Sequence, residues 1–178
     1  QYYDRQPGGG SSFRAPETSA LLRRKLWINE SDSRTHRADE QNVVQFCRCR
    51  DQSDTVAVLN RDFAQVLCAG VHGWWFEMDA GKHAFYNAPE IVDLFARQQA
   101  LATACYSHSR SVAEIAVVYD QESMFSHPFE STRDLLAWNR SQSLPRIGAP
   151  CDHLLHDDLA RPNTPDYRMY VFLNCHSL

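Results

Sequence analysis

Lys25-Leu-Trp-Ile-Asn-Glu30 and Val71-His-Gly-Trp-Trp-Phe-Glu-Met78 decide the fold. Each is short, largely apolar and bounded by polar sequence, as a buried strand is. Between them Asp54 stands as the N-cap of a helix running to about Cys68. Leu59, Phe63, Val66 and Leu67 share one face of it, and Gly70 stops it. After the second strand, Asn87-Ala-Pro-Glu opens another helix with proline in its first turn. Ile91, Leu94, Phe95, Gln98, Leu101 and Cys105 mark a mostly apolar face on it. Strand, helix, strand, helix is the βα alternation of a parallel sheet, so the chain reads as α/β.

Working outward, residues 1–20 are rich in Gly, Ser and Pro and read as loop. The polar stretch Ser31 to Ser53 reads as a surface crossing. After Arg110 the chain restarts. Val112-Ala-Glu-Ile-Ala-Val-Val-Tyr119 is the strongest strand in the sequence. Ser131 with Asp134 resembles a capping box opening a helix through Leu135, Leu136 and Trp138. Short strands near His153–Leu155 and Arg168–Asn174 follow. The expected boundary near Ser109–Ser111 separates a first domain, 1–110, from a second, 111–178. Three parallel strands on their own leave long edges exposed, which leads to the expectation that the natural chain is longer.

The 178 residues are 43% hydrophobic, enough for an ordinary core. The net charge of −4 arises entirely after Ser111. It offers no clustered basic face, so nucleic acid is not an expected partner. No apolar run approaches the roughly 20 residues that span a bilayer, so no membrane segment is expected. Six cysteines include no C-x-x-C pair. Cys68 and Cys105 read as small core residues, and the pattern favours a reducing, cytoplasmic setting. No two of the eight histidines are four apart, so the helical histidine pair of a zinc protease is absent and no metal is expected. Neither a dinucleotide-binding nor a Walker loop is present, and Asp120-Gln-Glu-Ser-Met-Phe125 after the strong strand is no phosphate cradle. No cofactor is therefore expected. Cys175 follows a strand, where flavodoxin-like amidotransferases keep a nucleophile, but the flanking glycines of that turn are missing.

Chemistry concentrates in Lys25-Leu-Trp-Ile-Asn-Glu-Ser-Asp-Ser-Arg-Thr-His36. A carboxylate just after a buried strand sits where barrel enzymes place catalytic groups. Glu30 fits that description, with Asp32, Arg34 and His36 in the emerging loop. A nearby arginine would keep Glu30 ionised, as a nucleophile requires. Trp74 and Trp75 alternate in direction, so at most one of them faces a site. Tryptophan suits the apolar C–H face of a sugar ring. The competing reading makes Glu30 and Asp32 surface acids and the tryptophans core.

Taken in order and spacing, these motifs resemble the C-terminal part of a family 42-type β-galactosidase of glycoside hydrolase clan A. Tyr3-Asp-Arg5 with Gly8-Gly-Gly10 resembles the end of barrel strand six, and Lys25–Glu30 resembles strand seven. Arg61-Asp-Phe-Ala-Gln-Val-Leu67 resembles the helix after it, and Gly73-Trp-Trp-Phe-Glu-Met-Asp79 resembles strand eight. Ser111–Asp120, Asp152–Leu159 and Asp166–Asn174 resemble the first three strands of the flavodoxin-like trimerisation domain. The resemblance implies a partial (β/α)8 barrel, its last strands and helices, followed by a partial flavodoxin-like parallel sheet. It implies retaining hydrolysis of terminal β-glycosides such as β-D-galactosides. Glu30 would be the nucleophile, with Tyr3, Arg5, Asp32, Arg34 and Trp75 shaping or contacting the sugar. The expected partners are a carbohydrate substrate and, in the full-length protein, two further copies in a trimer. The clan takes its acid/base from strand four after an asparagine, and no residue here matches it, so the isolated chain is expected to be inactive. Ser31-Asp-Ser-Arg-Thr-His36 departs from the best-known members and leaves the sugar open. The alternative is a non-catalytic carbohydrate-binding or oligomerisation module derived from such an enzyme.

Overall fold

The computed structural model describes residues 5–38, 49–77, 84–106 and 110–176. It is mixed α/β, with two short parallel sheets. The chain divides into two compact units. One comprises the residues up to Ser11 with Ile28–Arg110, and the other Ser12–Trp27 with Ser111–Leu178. One division falls after Arg110. Segment 12–27, however, groups with the second unit although it lies between two pieces of the first.

In the first unit, β1 (Ile28–Ser31) pairs in parallel with β2 (His72–Trp75), and α2 (Gln52–Cys68) connects them. The helix starts earlier than expected. Asp51, not Asp54, is the N-cap, its carboxylate accepting from the Asp54 N–H at 2.9 Å. Helix α3 (Pro89–Cys105) begins as expected, with proline in its first turn and Ala88 as N-cap. The core gathers Leu59, Phe85, Tyr86, Ala88, Ile91 and Leu94. Two expected core residues lie elsewhere. Cys68 is exposed and Cys105 half-buried, since each is the last residue of its helix. Leu101 is also exposed. Gly73 explains the close packing of α2 on the sheet, because a Cβ there would meet both Val66 methyls at 3.2 Å.

The expected surface crossing from Ser31 to Ser53 is corrected at its start, while residues 50–53 are exposed and residues 39–48 lie outside the described residues. Ser31, Asp32, Ser33, Arg34 and Thr35 are all buried. Polar side chains go inside when each finds a partner, and these do.

In the second unit, β3 (Ile115–Tyr119) is central. It pairs in parallel with β4 (Cys151–Leu155) on one side and β5 (Met169–Phe172) on the other. Counted within the unit the order is 2-1-3. Helix α1 (Glu17–Leu22), in a stretch expected to be loop, belongs here. Pro16 precedes it and Glu17 occupies its first turn. The Thr18 hydroxyl accepts from the His153 N–H at 3.2 Å, so α1 meets a backbone donor of edge strand β4. The connection from β3 to β4 runs through α4 (Gln121–Ser126), α5 (Phe129–Thr132) and a wider π-helical continuation, Arg133–Ser143. The expected capping box at Ser131 does not open this helix, because Ser131 already lies inside the turn that begins after Pro128. Among the described residues no helix is long and apolar enough to cross a membrane.

Candidate functional site

Parallel register puts Ile28 opposite His72, Asn29 opposite Gly73, Glu30 opposite Trp74, and Ser31 opposite Trp75. Side chains alternate along a strand, so Glu30, Ile28, His72 and Trp74 share one face. Ser31, Gly73 and Trp75 share the other, which the helices cover. Trp75 stacks on Phe95 of α3 at 4.8 Å between ring centroids and meets Tyr86 edge-on at 5.9 Å. A cavity of about 370 Å³ is lined by Phe63, Val66, Trp75, Phe95 and Gln98 together with His72 and Trp74, and Glu30 does not line it.

Among the described residues the Glu30 face is largely exposed, with Tyr106 at the end of α3 meeting His72, its hydroxyl 2.8 Å from Nε2. Glu30 is exposed at the C-terminal end of β1. Beside it Trp74 is 48% exposed and Ile28 53% exposed. Trp74 packs against Phe76, two residues along, at 5.0 Å. The tryptophan beside the carboxylate is therefore Trp74, while Trp75, the residue chosen from sequence, lies on the helix side. Alternation separates the pair, but only the register between strands says which one faces Glu30.

Immediately beyond Glu30 the chain enters a buried polar network. Asp32 is held between Arg5, whose Nη1 bonds its carboxylate, and Arg34, whose Nη1 lies 3.8 Å from the other oxygen. Arg5 Nη2 donates to the main-chain oxygen of Glu30 at 3.0 Å. Arg34 donates to the Asp32 carbonyl at 2.7 Å and lies over the Phe85 ring, 4.8 Å from its centroid. Ser33 bonds Asp62, which Arg61 also holds, through Nη2 at 2.8 Å. The structure thus brings Arg5, Asp32 and Arg34 together beneath the strand end, where they bind one another and the main chain. The arginine contact near Glu30 is to its peptide oxygen. Tyr3 and Asp79 lie outside the described residues. His36 turns away to Thr55, with its Nδ1 2.9 Å from the hydroxyl.

One residue here has no counterpart in the sequence reading. Tyr86 is 7% exposed, and its hydroxyl lies 3.3 Å from the Ser31 carbonyl oxygen and 3.1 Å from that of Ser33. Its own N–H donates to Glu77 at 2.7 Å. An aromatic residue just before a helix carries no sequence signal for such contacts, which depend on a strand 55 positions away.

In the second unit Cys175 is no activated nucleophile. Burial, with Asp120 nearby, pushes its thiol pKa up, which opposes thiolate formation. Asp120 caps α4 through the N–H groups of Glu122 and Ser123, filling with a carboxylate the place where a phosphate would be cradled. Among the described residues no group of three or more His, Cys, Asp or Glu could hold a metal ion. No protein-family model, characterised protein or solved structure matches the chain.

Proposed function

We propose that this chain is part of a retaining glycoside hydrolase resembling the family 42 β-galactosidases, with Glu30 as its nucleophile. One observation carries the reading. Glu30 is the last residue but one of a parallel strand of a βαβ unit, on a face largely exposed among the described residues, level with a half-exposed tryptophan. In a β/α barrel the helices cover the outside, the opposite face lines the interior, and catalytic groups occupy the C-terminal rim. The position of Glu30 near the C-terminal end of its strand supports this reading, in which the exposed Ile28 and Trp74 are side chains that a barrel interior would enclose. The 2-1-3 strand order of the second unit supports the flavodoxin-like half of the proposal, since that fold begins with the same order.

The chemistry follows from the carboxylate. Glu30 attacks the anomeric carbon and forms a glycosyl-enzyme. A second carboxyl, about 5–5.5 Å from it, protonates the leaving oxygen and then activates water. On this reading that second group comes from strand four of the barrel, outside these 178 residues. Trp74 offers its face to the sugar, while Arg5, Asp32 and Arg34 build the floor. The proposal includes a trimer formed through the second unit and a cytoplasmic setting, with no metal or cofactor in the reaction.

The test uses para-nitrophenyl β-glycosides. The full-length protein should release nitrophenol, and its Glu30→Gln variant should be folded and inactive. The isolated 178 residues should release none. Wild-type turnover in the Glu30→Gln protein, or robust cleavage by the isolated chain, refutes the proposal. A folded full-length protein that binds sugars without cleaving them favours the carbohydrate-binding module instead.

A further inference from the structure

Four consecutive main-chain carbonyls, from Glu30 to Ser33, each accept from a side chain. Arg5 holds that of Glu30 and Arg34 that of Asp32, while the single Tyr86 hydroxyl proton is shared between that of Ser33 at 3.1 Å and that of Ser31 at 3.3 Å. The Phe76 N–H adds a second bond to the Ser31 oxygen at 2.7 Å. Strand pairing fixes β1 only as far as Ser31, and beyond it side chains replace the ladder. Of these, Tyr86 reaches furthest. Its hydroxyl touches both sides of Asp32, and its N–H is tied to Glu77, just past the end of β2. Its ring is locked among Phe85 at 4.6 Å, Phe95 at 5.3 Å and Trp75 at 5.9 Å.

We infer that Tyr86 is a positioning residue for the nucleophile: by binding the carbonyls of Ser31 and Ser33 it fixes the rim peptide that carries the Glu30 carboxylate. The inference rests on the hydrolase reading. The side chain of Glu30 is exposed, so its own torsions are not locked by packing and its backbone fixes only the point and bond direction from which the carboxylate swings. A rim free to rotate would spread the carboxylate over many directions, only some of them in line with an anomeric carbon. Rates are sensitive to such spread, because attack needs a near-in-line approach. Burial, reinforced by the Asp32 carboxylate, holds the Tyr86 pKa well above its usual value, so the hydroxyl keeps its proton and remains a donor.

Tyr86→Phe removes the hydroxyl and leaves the ring. In the full-length protein it should lower kcat on para-nitrophenyl β-glycosides by about tenfold or more while KM stays within about twofold. A residue that merely supports the fold would lower the melting temperature and leave kcat per folded molecule unchanged. Arg5→Lys provides the second measurement if Tyr86→Phe does not fold. It keeps the charge, retains at most one of the two contacts, and should show the same loss in kcat with KM preserved. An active wild type with equally active variants, or a rise in KM at constant kcat, overturns the inference alone. A wild type with no glycosidase activity overturns the hydrolase reading and this inference together.

Discussion

Glu17 and His153 show how burial sets the behaviour of single residues in the second unit. Glu17 is 5% exposed and receives Arg140 Nη2 at 2.8 Å. Burial outweighs that partner and raises its pKa from 4.5 to about 7. His153 accepts or donates at 2.8 Å to the Tyr119 hydroxyl, and burial, then Arg140, lowers its pKa from 6.5 to about 3. The two shifts act on stability in opposite directions. The folded state holds the Glu17 proton more tightly than the unfolded chain, so its contribution is complete below pH 4.5 and fades as pH rises through 7. The folded state holds the His153 proton more weakly, so that contribution is complete above pH 6.5 and fades as pH falls towards 3. Between pH 4.5 and 6.5 they oppose each other, and stability should change little with pH. Glu17→Gln removes one side of the balance. Its urea midpoint should rise with pH across that window and be level above it, whereas the wild-type midpoint should decline as pH rises from 6.5 through 7.

At the scale of elements, the βαβ unit depends on how closely α2 approaches the sheet. Gly73 permits that approach, since any side chain would press on both Val66 methyls. Gly73→Ala should destabilise the chain by about 1–2 kcal/mol, and Val66→Ala in the same molecule should recover part of the loss. Additive losses in that double-mutant cycle, read by chemical denaturation, would show that the contact is not the limiting one. The helices follow local rules to different degrees. Asp51 caps α2 and proline opens α3, as short-range chemistry requires. The π-helical run Arg133–Ser143 follows no local signal. At its end the Leu144 N–H reaches back five residues to the Asn139 carbonyl, and the run carries buried Arg140 onto Glu17.

On the scale of the whole molecule, segment 12–27 ties distant sequence together within the second unit. Arg23 pairs with Asp158, which is wholly buried, across 135 positions. Asp158 also accepts from the Leu155 N–H at 2.9 Å. Arg23→Ala removes the cation paired with that buried carboxylate and should cost the second unit about 3 kcal/mol. Tryptophan fluorescence should separate the outcomes. Trp27 and Trp138 lie in the second unit and Trp74 and Trp75 in the first, so single-tryptophan versions should show the early transition only for the former pair. An equal shift for both pairs would mean that the units unfold together.

Local sequence alone determined the elements whose causes are local. The apolar runs around Ile28, Trp74 and Val117, the proline start of α3 and the stop at Gly70 are set by residues within a few positions of one another, and the α/β alternation follows from them. Tertiary structure decided the rest, because it depends on partners far away. Ser31 to Thr35 read as surface until Arg5, Asp62 and Phe85 satisfy them inside. Trp74 rather than Trp75 stands beside Glu30 because register, not alternation, relates two strands. Segment 12–27 joins the second unit through Arg140 and Asp158. Burial and pairing between groups over a hundred residues apart are properties of the folded chain, and no short window of sequence contains both halves of the interaction.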